Sequence, residues 1–165
     1  MVSLSFTAGG GLFAADVKYV QKVSRMAVTP VPAAPEEVAG IANMKGKVVT
    51  ILSIDALLGG GEKRGKNGGA EIQGIRNVSA VIFKPFNFNF NESGGQMGLL
   101  MDKPGDLIDI DENKIIALPP AESEDKTEKK ICISGTAETG GKLYRIIDID
   151  AIIERFGGAE QNPAG

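Results

Sequence analysis

The side chains that could carry out chemistry are few and poorly placed for catalysis. The chain has no histidine, the residue that most often serves as an acid or base near neutral pH. Its single cysteine, Cys132, lies between two isoleucines, which predicts an inert core thiol. The carboxylate pairs Asp109/Asp111 and Asp148/Asp150 fit a solvated edge or a helix cap better than a glycosidase pair. We therefore predict that the protein is not an enzyme.

Two glycine-rich segments resemble nucleotide-binding motifs but lack their context. Gly60–Lys66 has the spacing of a phosphate-binding loop, yet Asn67 stands where a Ser or Thr must bind magnesium, and no helix pattern follows. Gly9, Gly11 and Ala14 match the dinucleotide fingerprint, yet no parallel βαβ pattern follows them. We predict no nucleotide and no other cofactor.

The start of a calcium loop is also incomplete. Asp109, Asp111 and Asn113 have the spacing of its first ligands, but Lys114 replaces the required glycine and Pro120 occupies the position of the bidentate glutamate. The pattern indicates a polar turn, so we predict no metal site.

The most informative pattern is an internal repeat. Residues 40–58 (GIANMKGKVVTILSIDALL) and residues 135–153 (GTAETGGKLYRIIDIDAII) are offset by 95 positions and share eight identities in nineteen. Each copy predicts a glycine turn, then a strand and then a short helix. We expect Asp55 and Asp150 to cap helices over Ala56–Leu58 and Ala151–Phe156. The repeat thus predicts two similar β subdomains.

Composition limits the function classes. The chain has 165 residues, a net charge of −3 and only 5% aromatic residues, which fits one domain with a Val, Ile and Leu core and no basic footprint for nucleic acid. No apolar run approaches the roughly 20 residues that a membrane span needs, and the N-terminus lacks a signal-peptide pattern. We expect a cytoplasmic protein with no direct membrane insertion.

Local patterns assign the remaining segments. We predict strands, a helical turn and polar loops as follows: strands at Val2–Phe6, Leu12–Val23, Ala80–Phe83, Met97–Met101 and Leu107–Ile110, a helical turn at Glu36–Val38, and loops at 59–74, 86–95 and 121–130. Ala80–Phe83 and Met97–Met101 should pair as a hairpin.

Several ordered motifs resemble the CheW family of chemotaxis coupling proteins. They are Phe13-Ala14-Ala15-Asp16-Val17 with Val20, then Thr29-Pro30-Val31-Pro32, Gly40-Ile41-Ala42-Asn43-Met44-Lys45-Gly46, Gly98-Leu99-Leu100-Met101-Asp102 and Ile133-Ser134-Gly135. The similarity extends over roughly residues 2–156, and its TPVP to NMKG block is the most specific part.

The resemblance implies a mostly β fold of two interlocked five-stranded SH3-like β-barrels with short helices and possible strand exchange. One such domain would occupy residues 1–156, followed by a flexible tail at 157–165. It also implies a non-enzymatic adaptor that joins the helical tip of chemoreceptors to the regulatory domain of the chemotaxis histidine kinase.

The resemblance further implies two sets of contact residues. Matching motif positions for the receptor are Val20, Lys22, Lys45, Ala80 and Gly98. For the kinase they are Gly40, Asn43 and Met44.

Four positions depart from the family pattern. Lys22 replaces a glutamate, Lys45 an arginine, Thr50 a proline and Ser53 an aspartate. Lys45 keeps a positive charge but loses the planar fork of arginine, whereas Lys22 reverses a charge. We therefore expect altered receptor selectivity.

A second function class remains open from the residues alone. Small β-barrels also bind single-stranded nucleic acid or small ligands. Residues 84–90 (KPFNFNF) interleave aromatic side chains as such a surface would, but the neighbouring sequence is not basic.

Overall fold

Alternating apolar side chains build two β-sheets. The computed structural model describes residues 1–58, 74–85, 95–117 and 133–157. Its strands are β1 (Val2–Ala8), β2 (Gly11–Asp16), β3 (Val20–Val28), β4 (Val38–Met44), β5 (Lys47–Leu52), β6 (Arg76–Phe83), β7 (Met97–Met101), β8 (Lys103–Asp109), β9 (Ile116–Ala117), β10 (Ile133–Thr139) and β11 (Lys142–Ile147). Helices α1 (Ile54–Leu57) and α2 (Ile149–Ile152) follow β5 and β11, and a π-helical turn (Ile153–Gly157) extends α2. None of the helices in these ranges could span a bilayer.

The two sheets exchange strands between the halves of the chain. Sheet 1 has the order β3-β6-β7-β5-β4, and sheet 2 has the order β8-β1-β2-β11-β10-β9. The N-terminal hairpin β1–β2 therefore joins the C-terminal repeat, through the parallel pair β2–β11. The expected mostly β fold with short helices is confirmed, and the two sheets correspond to the two expected five-stranded barrels. Sheet 2 has six strands where five were expected, because the two-residue strand β9 adds to its edge.

The two copies of the internal repeat have the same strand register. The hairpins β4–β5 and β10–β11 have a bulge at the same place, and the second strand of each has a parallel partner on its other side. The corresponding pairs are Gly40–Ile51 and Gly135–Ile146 after the bulges, Ile51–Gly98 and Ile146–Ala14 in parallel, and Thr29–Ile41 and Ile116–Thr136 at the edges. The two copies thus occupy equivalent places in their sheets.

The predicted helix caps are wrong by two residues. Ser53 Oγ and Asp148 Oδ1 accept the capping backbone amides at 3.4 and 3.0 Å. Asp55 and Asp150 lie instead inside the first helical turn. The helices begin earlier than expected because the isoleucine after each cap is a buried helical residue, which leaves the preceding polar side chain as the cap.

Two strand and helix assignments also change. The Leu12–Val23 strand is interrupted by a 3₁₀ turn at Val17–Tyr19, which allows the chain to cross from sheet 2 to sheet 1. The Glu36–Val38 segment is not helical. The amide of Val38 donates to the carbonyl of Pro35 at 3.0 Å in a single turn, and Val38 then begins β4, because pairing with β5 wins over local helix preference.

Other predicted strands are confirmed, including the antiparallel pair β6–β7 and strand β8. The predicted loops 59–74 and 86–95 lie almost wholly outside the described residues. The linker 121–130 and Cys132 lie wholly outside them, and of the tail 157–165 only the backbone of residue 157 is described.

A shared core lies between the sheets, and each sheet encloses a smaller one. Phe6 and Phe13 of sheet 2 stack with ring centroids 5.8 Å apart and pack in the same cluster as Leu52, Phe83 and Leu99 of sheet 1. Sheet 1 curls around a second cluster on its other face, and its edge strands β3 and β4 meet at the pair Thr29–Ile41. Sheet 2 encloses the third cluster.

Candidate functional site

The side chains that suggested chemistry have structural roles. Asp148 is a helix cap, Asp111 Oδ1 accepts the amide of Asn113 at 3.0 Å, and Asp109 Oδ1 accepts the N-terminal ammonium at 3.2 Å. No cluster of metal-binding side chains occurs among residues 1–58, 74–85, 95–117 and 133–157. Gly9 lies in the turn between antiparallel β1 and β2, a geometry that a dinucleotide fingerprint does not have.

Two of the predicted receptor contacts lie at the start of β3. Val20 pairs with Phe83, and Lys22 pairs with Ile82 after a bulge at Gln21. Val20 and Lys22 are half-buried, so both still present surface to solvent. The bulge is held by Gln96, whose amide group donates to Gln21 and, at 3.0 Å, to the carbonyl of Phe83.

A tight turn positions the next set of residues. Lys45 and Gly46 join β4 to β5 with φ values of 54° and 85°, the left-handed pair that a two-residue hairpin turn requires. Asn43 Oδ1 accepts the amide of Gly46 at 2.9 Å and stabilises this geometry. Lys45 and Asn43 are exposed, whereas Met44 is half-buried against the cluster inside sheet 1.

The remaining predicted contacts are interior. Ala80 is fully buried inside sheet 1. Gly98 is buried beneath Ile82, and a Cβ there would lie 2.8 Å from both Ile82 Cδ1 and the Val81 carbonyl oxygen. Gly40 is buried against β3, where a Cβ would overlap the Thr29 carbonyl oxygen. These residues allow close strand packing and cannot themselves contact a partner in this conformation.

Sheet register brings several of these residues into one row. Lys22 pairs with Ile82, Ile82 with Gly98, Gly98 with Ile51, and Ile51 with Gly40, so the row crosses all five strands of sheet 1. The row could not be foreseen from local patterns, because it depends on the parallel pairing of β5 with β7.

One end of sheet 1 is basic. At the end where β3 and β7 begin lie Lys22, Lys45, Lys47 and Lys84, and none of them forms an ion pair within the described residues. We call this the basic end. The chain as a whole is acidic, so composition concealed this local excess. Unpaired positive side chains on one surface favour an acidic partner.

Polar interactions connect the two sheets. The hydroxyl of Tyr19, in the turn between β2 and β3, donates to Asp150 Oδ2 of α2 at 2.7 Å. This hydrogen bond is the main cause that raises the pKa of Tyr19 to about 12. Arg155 pairs with Glu37 at 3.6 Å, and the carbonyl of Glu37 accepts the amide of Ser53 at 2.8 Å. The relative position of the sheets therefore depends on specific bonds as well as on the shared core.

Sequence reasoning missed a cleft at the other end of sheet 1. Its volume is about 380 Å³, and it lies where the β1–β2 turn approaches β3, β6 and β7. Arg25, Arg76, Asp55 and Asp102 are among its lining residues. Gly9 has a φ of 55° and a Cβ there would also overlap the Asp55 carboxylate, so this turn favours a glycine. Only the β3–β6 register brings the two arginines together, and no local motif signals it.

Comparison with known proteins identifies the family to which this fold belongs. The family model for the CheW-like domain matches residues 3–156. Chemotaxis protein CheW of Thermotoga maritima is 26% identical over 154 residues, which cover 93% of this chain and 87% of that protein. The crystal structure of scaffolding protein TtCheW from Thermoanaerobacter tengcongensis superposes with a TM-score of 0.63 at 24% identity, covering 89% of this chain and 88% of that one. The chain, with its two strand-exchanged sheets, belongs to the CheW-like domain family.

Proposed function

We propose that this protein is a non-enzymatic chemotaxis adaptor that joins chemoreceptors to the chemotaxis histidine kinase. The observation that carries the proposal is the CheW-like match over residues 3–156, which includes both sheets. The family consists of non-catalytic adaptors, and the matched relatives are named a chemotaxis protein and a scaffolding protein. The protein would act in the cytoplasm, with residues 1–156 working as one unit.

The basic end of sheet 1 supports the receptor part of the proposal. Val20, Lys22 and Lys45 lie toward this end and remain accessible, so they can contact a helical receptor tip directly. Ala80 and Gly98 lie beneath them, and their small size sets how closely the strands pack. In this proposal they shape the surface rather than touch the receptor.

The β4–β5 hairpin supports the kinase part. Asn43 and Met44 are accessible on it, and Gly40 seats the hairpin against β3. Met44 directly precedes Lys45 in the chain and Asn43 lies two positions before it, so the two partners would bind at adjacent surfaces. An adaptor must nevertheless hold both partners at once, which makes simultaneous binding the central requirement.

The test is a reconstitution with a purified chemoreceptor tip and the kinase regulatory domain. We expect each to bind this protein separately and all three to elute together in size-exclusion chromatography. Competition between the two partners, or failure of both to bind, would refute the adaptor proposal.

Charge reversal at Lys45 tests the receptor surface. Lys45→Glu should weaken receptor binding by about 1–3 kcal/mol if the charge is paired and partly desolvated in the complex. Its unfolding free energy should change by no more than about 0.5 kcal/mol, because Lys45 is exposed. Lys114→Glu is the matched control, since Lys114 is also exposed but follows β8 of sheet 2. Equal receptor affinity of the two variants would place Lys45 outside the receptor surface.

A further inference from the structure

Among the described residues, the outer edge of β3 forms backbone hydrogen bonds to β4 only beyond its C-terminal end. Strands β3 and β4 are the two edges of sheet 1, and they share a hydrogen-bonded pair only at Thr29 and Ile41, with N···O distances of 2.8 and 2.9 Å. Backbone groups alternate sides along a strand, so those of Val23, Arg25 and Ala27 point to the same side as those of Thr29. Among the described residues no backbone group pairs with them, and the Ser24 hydroxyl donates to the Arg25 carbonyl oxygen at 3.1 Å.

The opening between β3 and β4 has an apolar floor. Met26 on β3 and Met44 on β4 are both half-buried and pack on the same cluster inside sheet 1. Extending the antiparallel register from Thr29–Ile41 places these two methionines opposite each other across the gap. Methionine side chains adapt their shape to an apolar partner, which suits a binding floor.

The rim of the opening is basic. Lys22 and Arg25 lie on β3, and Lys45 lies at the tip of the β4–β5 hairpin. None of the three forms an ion pair within the described residues. Like charges opposite each other destabilise a strand pair, so a second copy of this chain would be repelled from the β3 edge. An acidic strand would be attracted instead.

We propose that this opening, which we call the β3 groove, is a docking site for an extended acidic segment of another protein. The segment would add as a strand beside β3. Its inward side chains would be aliphatic and would contact Met26 and Met44, and its outward side chains would be acidic and would face Arg25. Open strand edges commonly bind peptides in this way, with backbone hydrogen bonds for affinity and alternate side chains for specificity. The proposal does not depend on receptor or kinase binding.

Other exposed strands are less suited to this role. Strand β8, an edge of sheet 2, contains Pro104, which lacks an amide donor, and β9 at the opposite edge has only two residues. Strand β3 has nine residues and no proline, and its exposed face includes Val23, which is 38% exposed.

The probe is a set of labelled synthetic peptides of about eight residues, a usual strand length, with Glu or Asp alternating with Val, Ile or Leu. A matched set carries methyl groups on alternate backbone nitrogens, which removes the donors but keeps all charges. We expect saturable binding in fluorescence anisotropy and at least about tenfold weaker binding of the methylated set, because two or more backbone hydrogen bonds are lost. Amide hydrogen exchange at Val23, Arg25 and Ala27 should slow when the unmodified peptide binds.

Two variants locate the site. Ala27→Pro removes an edge donor that has no partner among the described residues, and Ala27→Ser is its control because it keeps the donor. Arg25→Glu reverses the charge on the rim, with Lys114→Glu as its control. Thermal unfolding of each variant checks that it is folded. We expect Ala27→Pro and Arg25→Glu to bind peptide at least about tenfold more weakly than their controls, a loss of about 1.4 kcal/mol.

Several results would overturn the proposal. They are equal binding of methylated and unmodified peptides, absence of saturation below about 1 mM for the whole set, and dimerisation through β3 in sedimentation analysis. Arg25 and Ala27 are not among the proposed receptor or kinase contacts. The two variants should therefore still bind the receptor tip, and loss of peptide binding alone separates this site from the adaptor surface.

Discussion

Replacing Tyr19 with phenylalanine removes one hydroxyl that ties the two sheets together. In the native protein this hydroxyl donates to Asp150 Oδ2 at 2.7 Å. That hydrogen bond, then burial, then the negative charges of Asp150, Asp16 and Asp148 raise the pKa of Tyr19 to about 12 from its ordinary value of 10. Each of these causes favours the neutral phenol in the folded state.

The expected loss of stability follows from the exposed position of the Tyr19–Asp150 hydrogen bond. A hydrogen bond to a charged acceptor can contribute about 1.5–3 kcal/mol, but water and salt weaken an exposed one, so we expect Tyr19→Phe to cost about 1 kcal/mol. For a chain of 165 residues this corresponds to a fall in Tm of about 2–4 °C.

The sign of the pH dependence is opposite to that of a salt-bridged carboxylate. Because the folded pKa of Tyr19 is raised, its stabilising contribution is complete below pH 10, the ordinary pKa, and is lost as the pH rises through about 12. Tyr19→Phe should therefore lose less stability over this alkaline range than the native protein. Denaturant unfolding at a series of pH values measures the difference.

The absorbance of the phenolate reports the same group directly. The chain has two tyrosines and no tryptophan, so subtracting the titration of Tyr19→Phe from that of the native protein isolates Tyr19. Asp150→Asn should shift the Tyr19 titration toward pH 10. Asp55→Asn, the equivalent change in the other repeat, should leave it unaltered because Asp55 is not among the groups that raise the pKa of Tyr19. A native Tyr19 that titrates near pH 10 would refute the reasoning.

Three further changes test other parts of the account. Lys22→Glu should strengthen binding to generic chemoreceptor tips and weaken binding to the native partner, with both effects shrinking as salt screens the charge; identical ranking of tips by the two proteins would remove Lys22 as a specificity element. Gly98→Val should lower the unfolding free energy by about 1–3 kcal/mol, because its Cβ would press on the Val81 carbonyl oxygen; an unchanged denaturation midpoint would contradict the packing argument. Asp148→Ala should cost about 1 kcal/mol through loss of the helix cap, whereas Asp148→Asn should retain most of it; equal loss in both would contradict capping.

Local signals in the chain were sufficient for the repeat and most strands. Glycines at 46, 140 and 141 tolerate positive φ, and β-branched runs flank them, so two similar hairpins followed from residues a few positions apart. The helix caps were misplaced because residues 53–56 offer two polar candidates, and burial of Ile54 selected Ser53. Because burial of the next residue decides which polar side chain caps the helix, the types of the capping residues alone do not predict the cap.

Residue type and short-range spacing are sufficient to predict most of the strands, the positions of the two hairpin turns and the lack of histidine or of an internal disulfide. Three features could not be predicted from short segments: β1 and β2 join the C-terminal repeat, Ala80 and Gly98 are interior, and lysines collect at one end of sheet 1. These features arise from pairing between strands far apart in the chain, such as β5 with β7 and β2 with β11. Such pairing is selected by how whole faces pack together, and no short segment encodes it.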